Sequence, residues 1–158
     1  MNESRLSESE AEKAFDSLVK VLEIDNKHRH SYLLISELDY LSDKSDRKRF
    51  DLLGRAKRDM PKDADIWAAY GLCAHGLGRS NDDSLDDDRG QSIARQSYEK
   101  ALSLDPNCKR AYLELIGLHS NSHGAIKGQI GNYLLHGNAQ EDKTKASQYK
   151  REYQKRFK

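Results

Sequence analysis

Hydrophobic positions recur along this chain every three or four residues, and no stretch alternates with the two-residue period of a strand. The first stripe is Ala11, Phe15, Leu18 and Leu22. It is opened by Ser7 and Glu10 at capping-box spacing and closes near Asp25-Asn26. A second helix is expected from about Arg29 to Leu41, with Leu34, Leu38 and Leu41 on one side and Tyr32 and Ile35 on an adjacent one. The last residues of the turn Ser42–Asp46 can cap a third helix, in which Phe50, Leu53, Ala56 and Met60 fall in register until Pro61 ends it. A fourth takes Ile66, Trp67, Ala69, Tyr70, Cys73 and Leu77. Beyond an Asp-rich break, a fifth carries Ile93, Ala94, Tyr98, Ala101 and Leu102 and ends at Asp105-Pro106. A sixth runs from about Lys109 to His119, and a last one, from Asp142 to Lys158, aligns Ala146, Tyr149, Tyr153 and Phe157. The pattern predicts an all-α chain.

The helices are not independent of one another. The two prolines, Pro61 and Pro106, lie 45 residues apart, and each is followed six positions later by a large aromatic, Trp67 and Tyr112. Upstream, Leu22-Glu23-Ile24-Asp25-Asn26 matches Leu102-Ser103-Leu104-Asp105-Pro106, and Tyr32-Leu33 matches Tyr112-Leu113. One helix-turn-helix pattern therefore occurs three times. The spacing of the prolines is a ~34-residue period plus an insert, which is visible as the polar segment around Gly78–Gln91.

These residues carry a family resemblance. Ala94-x3-Tyr98-x2-Ala101-x4-Pro106 resembles the second helix of a tetratricopeptide (TPR) repeat, and Trp67-x2-Tyr70-Gly71 resembles its first. Leu53-x2-Ala56-x4-Pro61 and Ala14-x3-Leu18-x2-Val21-x4-Asn26 are weaker copies. Half-a-TPR (HAT) repeats, typical of RNA-processing assemblies, are also similar around Trp67-x2-Tyr70 and Ala94–Leu102. The chain departs from the TPR pattern in its insert, in Asn26 standing for proline, and in the glycine-spotted segment after His119. The resemblance implies a short right-handed superhelical array of antiparallel helix pairs in one domain. Residues 7–28 form a partial first repeat, 29–61 a repeat, 64–107 a repeat with an insert at about 78–91, 109–138 a degenerate repeat, and 141–158 a basic capping helix.

Stacked helix pairs line an extended concave groove with their inner helices. The resemblance implies that a peptide or amphipathic helix of another protein binds there. On that geometry the groove takes His30, Leu33, Glu37 and Tyr40 from the second helix, Asp65, Ala68, Leu72 and His75 from the fourth, and Arg110, Leu113 and Gly117 from the sixth. Leu33, Glu37, Asp65 and Ala69 stand where some TPR domains place the Lys/Asn/Arg set that grips a C-terminal carboxylate. An apolar or amphipathic segment therefore suits the groove better than an acidic tail.

Composition narrows the alternatives. The 158 residues include 34% charged and 36% hydrophobic side chains, and 27 Lys+Arg against 26 Asp+Glu leave a net charge of +1. That balance excludes a wholesale polyanion binder but not a local basic patch. The patch expected is Lys150, Arg151, Lys155 and Arg156 on the last helix, joined by the run Arg47-Lys48-Arg49. It carries the alternative function, contact with RNA or a nucleoprotein. No run reaches the ~18–20 apolar residues of a membrane span, and Met1–Glu8 holds no secretory apolar stretch. Cys73 and Cys108 form no CxxC pair and read as reduced thiols of a cytoplasmic protein.

No candidate chemistry survives closer reading. The insert Asn81–Gly90 fails the glycine and glutamate positions of an EF-hand loop and reads as solvated loop. His119 and His123 are four apart but lack a completing carboxylate, so the histidines are expected at the surface or in the groove. Gly124–Gly128 is not a phosphate-binding loop. No enzyme, metal or cofactor is expected. Incomplete end caps expose apolar edges, so self-association is a further option.

Overall fold

A computed structural model describes residues 7–38, 41–78, 87–121 and 139–157. Among the described residues there are seven helices and no strand: α1 (Glu8–Ile24), α2 (Arg29–Glu37), α3 (Asp43–Asp59), α4 (Ala64–Gly78), α5 (Asp87–Leu104), α6 (Lys109–Asn121) and α7 (Ala139–Phe157). The capping box expected at the start of α1 is formed, with the Ser7 side chain and the Glu10 backbone and carboxylate paired reciprocally.

The three turns α1–α2, α3–α4 and α5–α6 are built alike, bond for bond. The N–H groups of Asp25, Met60 and Asp105 donate to the carbonyls of Val21, Ala56 and Ala101 at 2.9, 2.8 and 2.9 Å. Those of His28, Asp63 and Cys108 then donate to the carbonyls of Asp25, Met60 and Asp105 at 3.1, 3.1 and 3.0 Å. Asn26, Pro61 and Pro106 occupy the same place, where the ring nitrogen of proline forfeits no bond. The aromatic six residues on reaches back: Tyr32 Oη donates to the Asn26 carbonyl (2.8 Å) and Trp67 Nε1 to that of Pro61 (3.0 Å). In the third copy Tyr112 points its hydroxyl to Glu152 of α7 instead, at 3.4 Å.

Helix α4 is the centre of the packing. It is apolar on nearly every side, the signature of a helix buried all round. Ile66, Ala69, Tyr70 and Cys73 enter a core with Phe15, Leu22, Ile35, Leu53 and Ala56, while Ala68 enters a second core with Ala94, Tyr98, Ala101, Ala111 and Leu115. The most extensive contact is between α4 and α5, and α4 also touches α2, α3 and α6. Small residues make that closeness feasible. At Gly71 a Cβ would lie 3.1 Å from the Ala94 carbonyl oxygen, and at Gly90 one would lie 2.8 Å from the Ala74 carbonyl oxygen. Gly90 belongs to α5, so the last part of the expected insert, from Asp87, is helix rather than loop. Residues 79–86 lie outside the described residues, as does the glycine-spotted segment 122–138.

Helix α2 stops at Glu37, four residues short of the expected Leu41, for a reason that lies outside it. The groups a longer helix would have paired are taken by its neighbours: Arg49 of α3 donates to the Leu38 carbonyl, and the Ser42 N–H donates to Glu12 of α1 at 2.6 Å. Leu38 and Leu41 still pack against the first core. Ser42, not the end of that turn, is the residue that caps α3.

Glu12 accepts from the Ser42 N–H and the Ser45 hydroxyl (2.7 Å), tying α1 to the N-terminus of α3. These bonds, the backbone one foremost, hold its carboxyl below the usual range. Glu12→Ala should lower stability by about 1–2 kcal/mol, the worth of a lost cap. The contribution is complete above the ordinary glutamate pKa of about 4.3 and disappears as pH falls through the depressed folded value. Urea unfolding at neutral and acid pH should therefore show wild type and variant converging in acid.

Candidate functional site

One ion pair ties α6 to α2, two helices that both pack against α4. Arg110 at the start of α6 pairs with the Glu37 carboxylate at the end of α2 and donates to Ser36 Oγ at 3.3 Å. Leu33 lies one turn before Glu37 and Leu113 one turn after Arg110, so both come to the side on which this pair is made. Leu113 is 49% exposed, the most exposed leucine among the described residues, and one turn beyond it Gly117 has nothing within 4 Å of where a Cβ would stand. Leu33 and Leu72 are partly buried, Leu33 against the first core.

The remaining expected groove residues divide. His30 is exposed and His75 partly buried. Asp65 is engaged within the fold: it receives Arg29 Nη2 at 2.5 Å and the Cys108 thiol at 3.7 Å. Arg29 also binds Asp63 (2.5 Å), whose carboxylate caps α4 by accepting from the Asp65 and Ile66 N–H groups. Burial raises the Asp63 carboxyl, and the Arg29 hydrogen bond with those backbone donors outweighs it, leaving it below its ordinary value. Ala68 must be corrected: it is fully buried in the second core and offers no surface to a partner. Tyr40 lies outside the described residues.

Two polar groups drew no functional role from the sequence. Glu114, on the Arg110 face of α6, is partly buried, and burial pushes its carboxyl up while Arg110 opposes the shift. Tyr98 has its ring fully buried, and among the described residues its hydroxyl has no hydrogen-bond partner. Its stripe position marks it as core; the fate of its hydroxyl depends on where α6 packs.

The aromatic face of α7 packs inward, and its basic face stays outside. Tyr149 and Phe157 of α7 meet Tyr112 edge-on at 6.4 and 6.2 Å, and His119 stacks on Tyr149 at 5.9 Å. His119 is thus a buried histidine, not a surface one. Lys150, Arg151, Lys155 and Arg156 are all exposed, and Arg156 also sits over the Tyr112 ring and donates to Asn107 Oδ1 at 3.5 Å. The run Arg47-Lys48-Arg49, by contrast, is no free patch: Arg49 is buried, Lys48 lies over Phe15, and Arg47 pairs with Asp51.

Both cysteines are free and buried, and burial pushes the Cys73 thiol up to about 12. Among the described residues no three His, Cys, Asp or Glu side chains gather as a metal ion requires, and no helix is long and apolar enough to cross a membrane. His123 lies outside the described residues. Comparison with protein-family models, curated proteins and solved structures finds no match to the chain.

Proposed function

We propose that this chain is a non-enzymatic, TPR-like scaffold that takes a peptide or amphipathic helix of another protein along the open side of α2, α4 and α6. The observation that carries the reading is Leu113, an exposed leucine beside an open glycine on a side otherwise tied together by Arg110 and Glu37. The three like-built turns and the Gly71–Ala94 approach support the family resemblance. Covering the part of Leu72 and Leu113 that is still exposed would contribute up to about 1 kcal/mol each, a fraction of what a fully exposed leucine gives.

Affinity capture from cell lysate with mass spectrometry tests this reading. Leu113→Glu, at a site already half open to water, should lose captured protein while keeping the wild-type helical signal, and Leu72→Glu should act alike. Nuclease treatment should leave the capture intact. The second reading, nucleic-acid contact through α7, is favoured by the exposure of Lys150, Arg151 and Lys155. It calls for capture that disappears with nuclease and for affinity that falls steeply with salt.

A further inference from the structure

Helix α7 sends its two sides to different surroundings. Tyr149 and Phe157 meet Tyr112 of α6 edge-on, Phe157 lies 5.0 Å from Tyr153, and Lys109 of α6 stands over the Tyr153 ring at 6.0 Å. With successive residues about 100° apart, the opposite side divides into three strips. Ser147 and Gln154, seven apart, run along its middle. Lys143 and Lys150, also seven apart, flank them on one edge, and Arg151 and Lys155, four apart, on the other. All six are exposed, and no carboxylate is among the exposed described residues of α7. Glu152 is withdrawn from this side, accepting from Gln148 Nε2 at 3.1 Å and from Tyr112 Oη at 3.4 Å. Among the described residues the four cations make no ion pair.

Such a face selects a polyanion by shape. Binders of single strands stack bases on exposed aromatic rings. Here the rings of α7 are committed to the α6 side, so an unpaired base finds no platform. A duplex needs none, because its phosphates stand outermost. We propose that α7 lies in the major groove of duplex DNA, with Ser147 and Gln154 toward the groove floor and the two cation rows on the phosphates of the two strands. A helix of ~10–12 Å diameter suits a groove about 12 Å wide, whereas the major groove of duplex RNA is too narrow for side chains to read. Lys143, Lys150, Arg151 and Lys155 supply the phosphate contacts. The inference rests on the nucleic-acid reading of α7 and adds the form of nucleic acid and the groove.

The test titrates the full chain into a fluorescently labelled random-sequence DNA duplex and follows anisotropy. The expected result is saturable binding whose affinity falls about a hundredfold from roughly 50 to 200 mM salt, the dependence of four phosphate contacts. Substituting either row, Lys143→Gln with Lys150→Gln or Arg151→Gln with Lys155→Gln, should halve the slope of log affinity against log salt. Ser147→Glu, which sets a carboxylate in the middle strip, should abolish binding. All five positions are exposed, so circular dichroism and melting temperature should stay at wild-type values and separate lost contact from lost fold. Single-stranded DNA and duplex RNA of the same sequence should each bind at least about tenfold more weakly. So should a DNA duplex whose cytosines carry bulky C5 groups, because these fill the major groove. Equal binding of the single strand or the duplex RNA, or undiminished binding of the C5-blocked duplex, would overturn the inference and leave the nucleic-acid reading standing. No binding to any of these probes, or binding that neither row substitution weakens, would overturn both.

Discussion

Gly71→Ala should lower the stability of the chain by about 2–3 kcal/mol, the usual cost of overpacking a tight core. In a domain of this size that lowers the melting temperature by about 5–10 °C. One added methyl would sit 2.7 Å from Tyr98 Cε1, 3.0 Å from Ser97 Cβ and 3.1 Å from the Ala94 carbonyl oxygen. The last two belong to or adjoin the main chain of α5 and cannot swing aside, and the Tyr98 ring is fully buried. The two helices must therefore separate, although their contact is the most extensive in the fold. Gly54→Ala in α3 is the control. Its nearest neighbour, Tyr70 Cε2, is 3.7 Å away, an ordinary contact, so the propensity gain of about 1 kcal/mol should appear as increased stability. Thermal and urea unfolding of the two variants should give opposite signs for the same substitution, and equal signs would refute the packing argument.

Arg49→Met should cost about 3 kcal/mol, the magnitude of breaking a buried ion pair from one side. Arg49 is 8% exposed, its Nη2 lies 2.7 Å from Asp46 Oδ1, and its Nη1 donates to the Leu38 carbonyl where α2 ends. Methionine fills the space but supplies neither charge nor donor, so a carboxylate and a carbonyl lose a partner together. Lys48→Met, one residue earlier, removes an exposed ammonium 5.8 Å from the Phe15 ring, and should cost less than about 1 kcal/mol. Urea midpoints of the pair separate the two cases. A small change for Arg49 would mean that α2 ends for local reasons rather than because α3 captures its carbonyl.

These two variants also show where sequence reasoning was adequate. The period of Ala11, Phe15, Leu22 and their successors placed the helices, because amphipathic spacing and burial are one constraint seen from two sides. Gly71 and Ala94 stood out in the repeat-like signatures, and the structure brings them together where α4 meets α5. Arg47-Lys48-Arg49 was not legible: read as a basic run, it resolves into an ion pair, a ring contact and a buried cross-link. The same residue type serves all three, and its surroundings choose among them. Ala68 was misplaced for the related reason that α4 has a neighbour on almost every side, so its wheel position does not mark an exposed face.

The chain by itself determined the helices, the turns after Asp25, Met60 and Asp105, and the small residues that set helix spacing. All of these depend on contacts within a few residues or on side-chain volume. Only the tertiary structure decided that Arg110 spends its charge on Glu37, that α2 ends at Glu37, and that Arg29 joins Asp63 and Asp65. Each of those outcomes depends on which long or polar side chain first reaches a partner on another helix. That competition is settled by distances in the packed molecule, which no local pattern encodes.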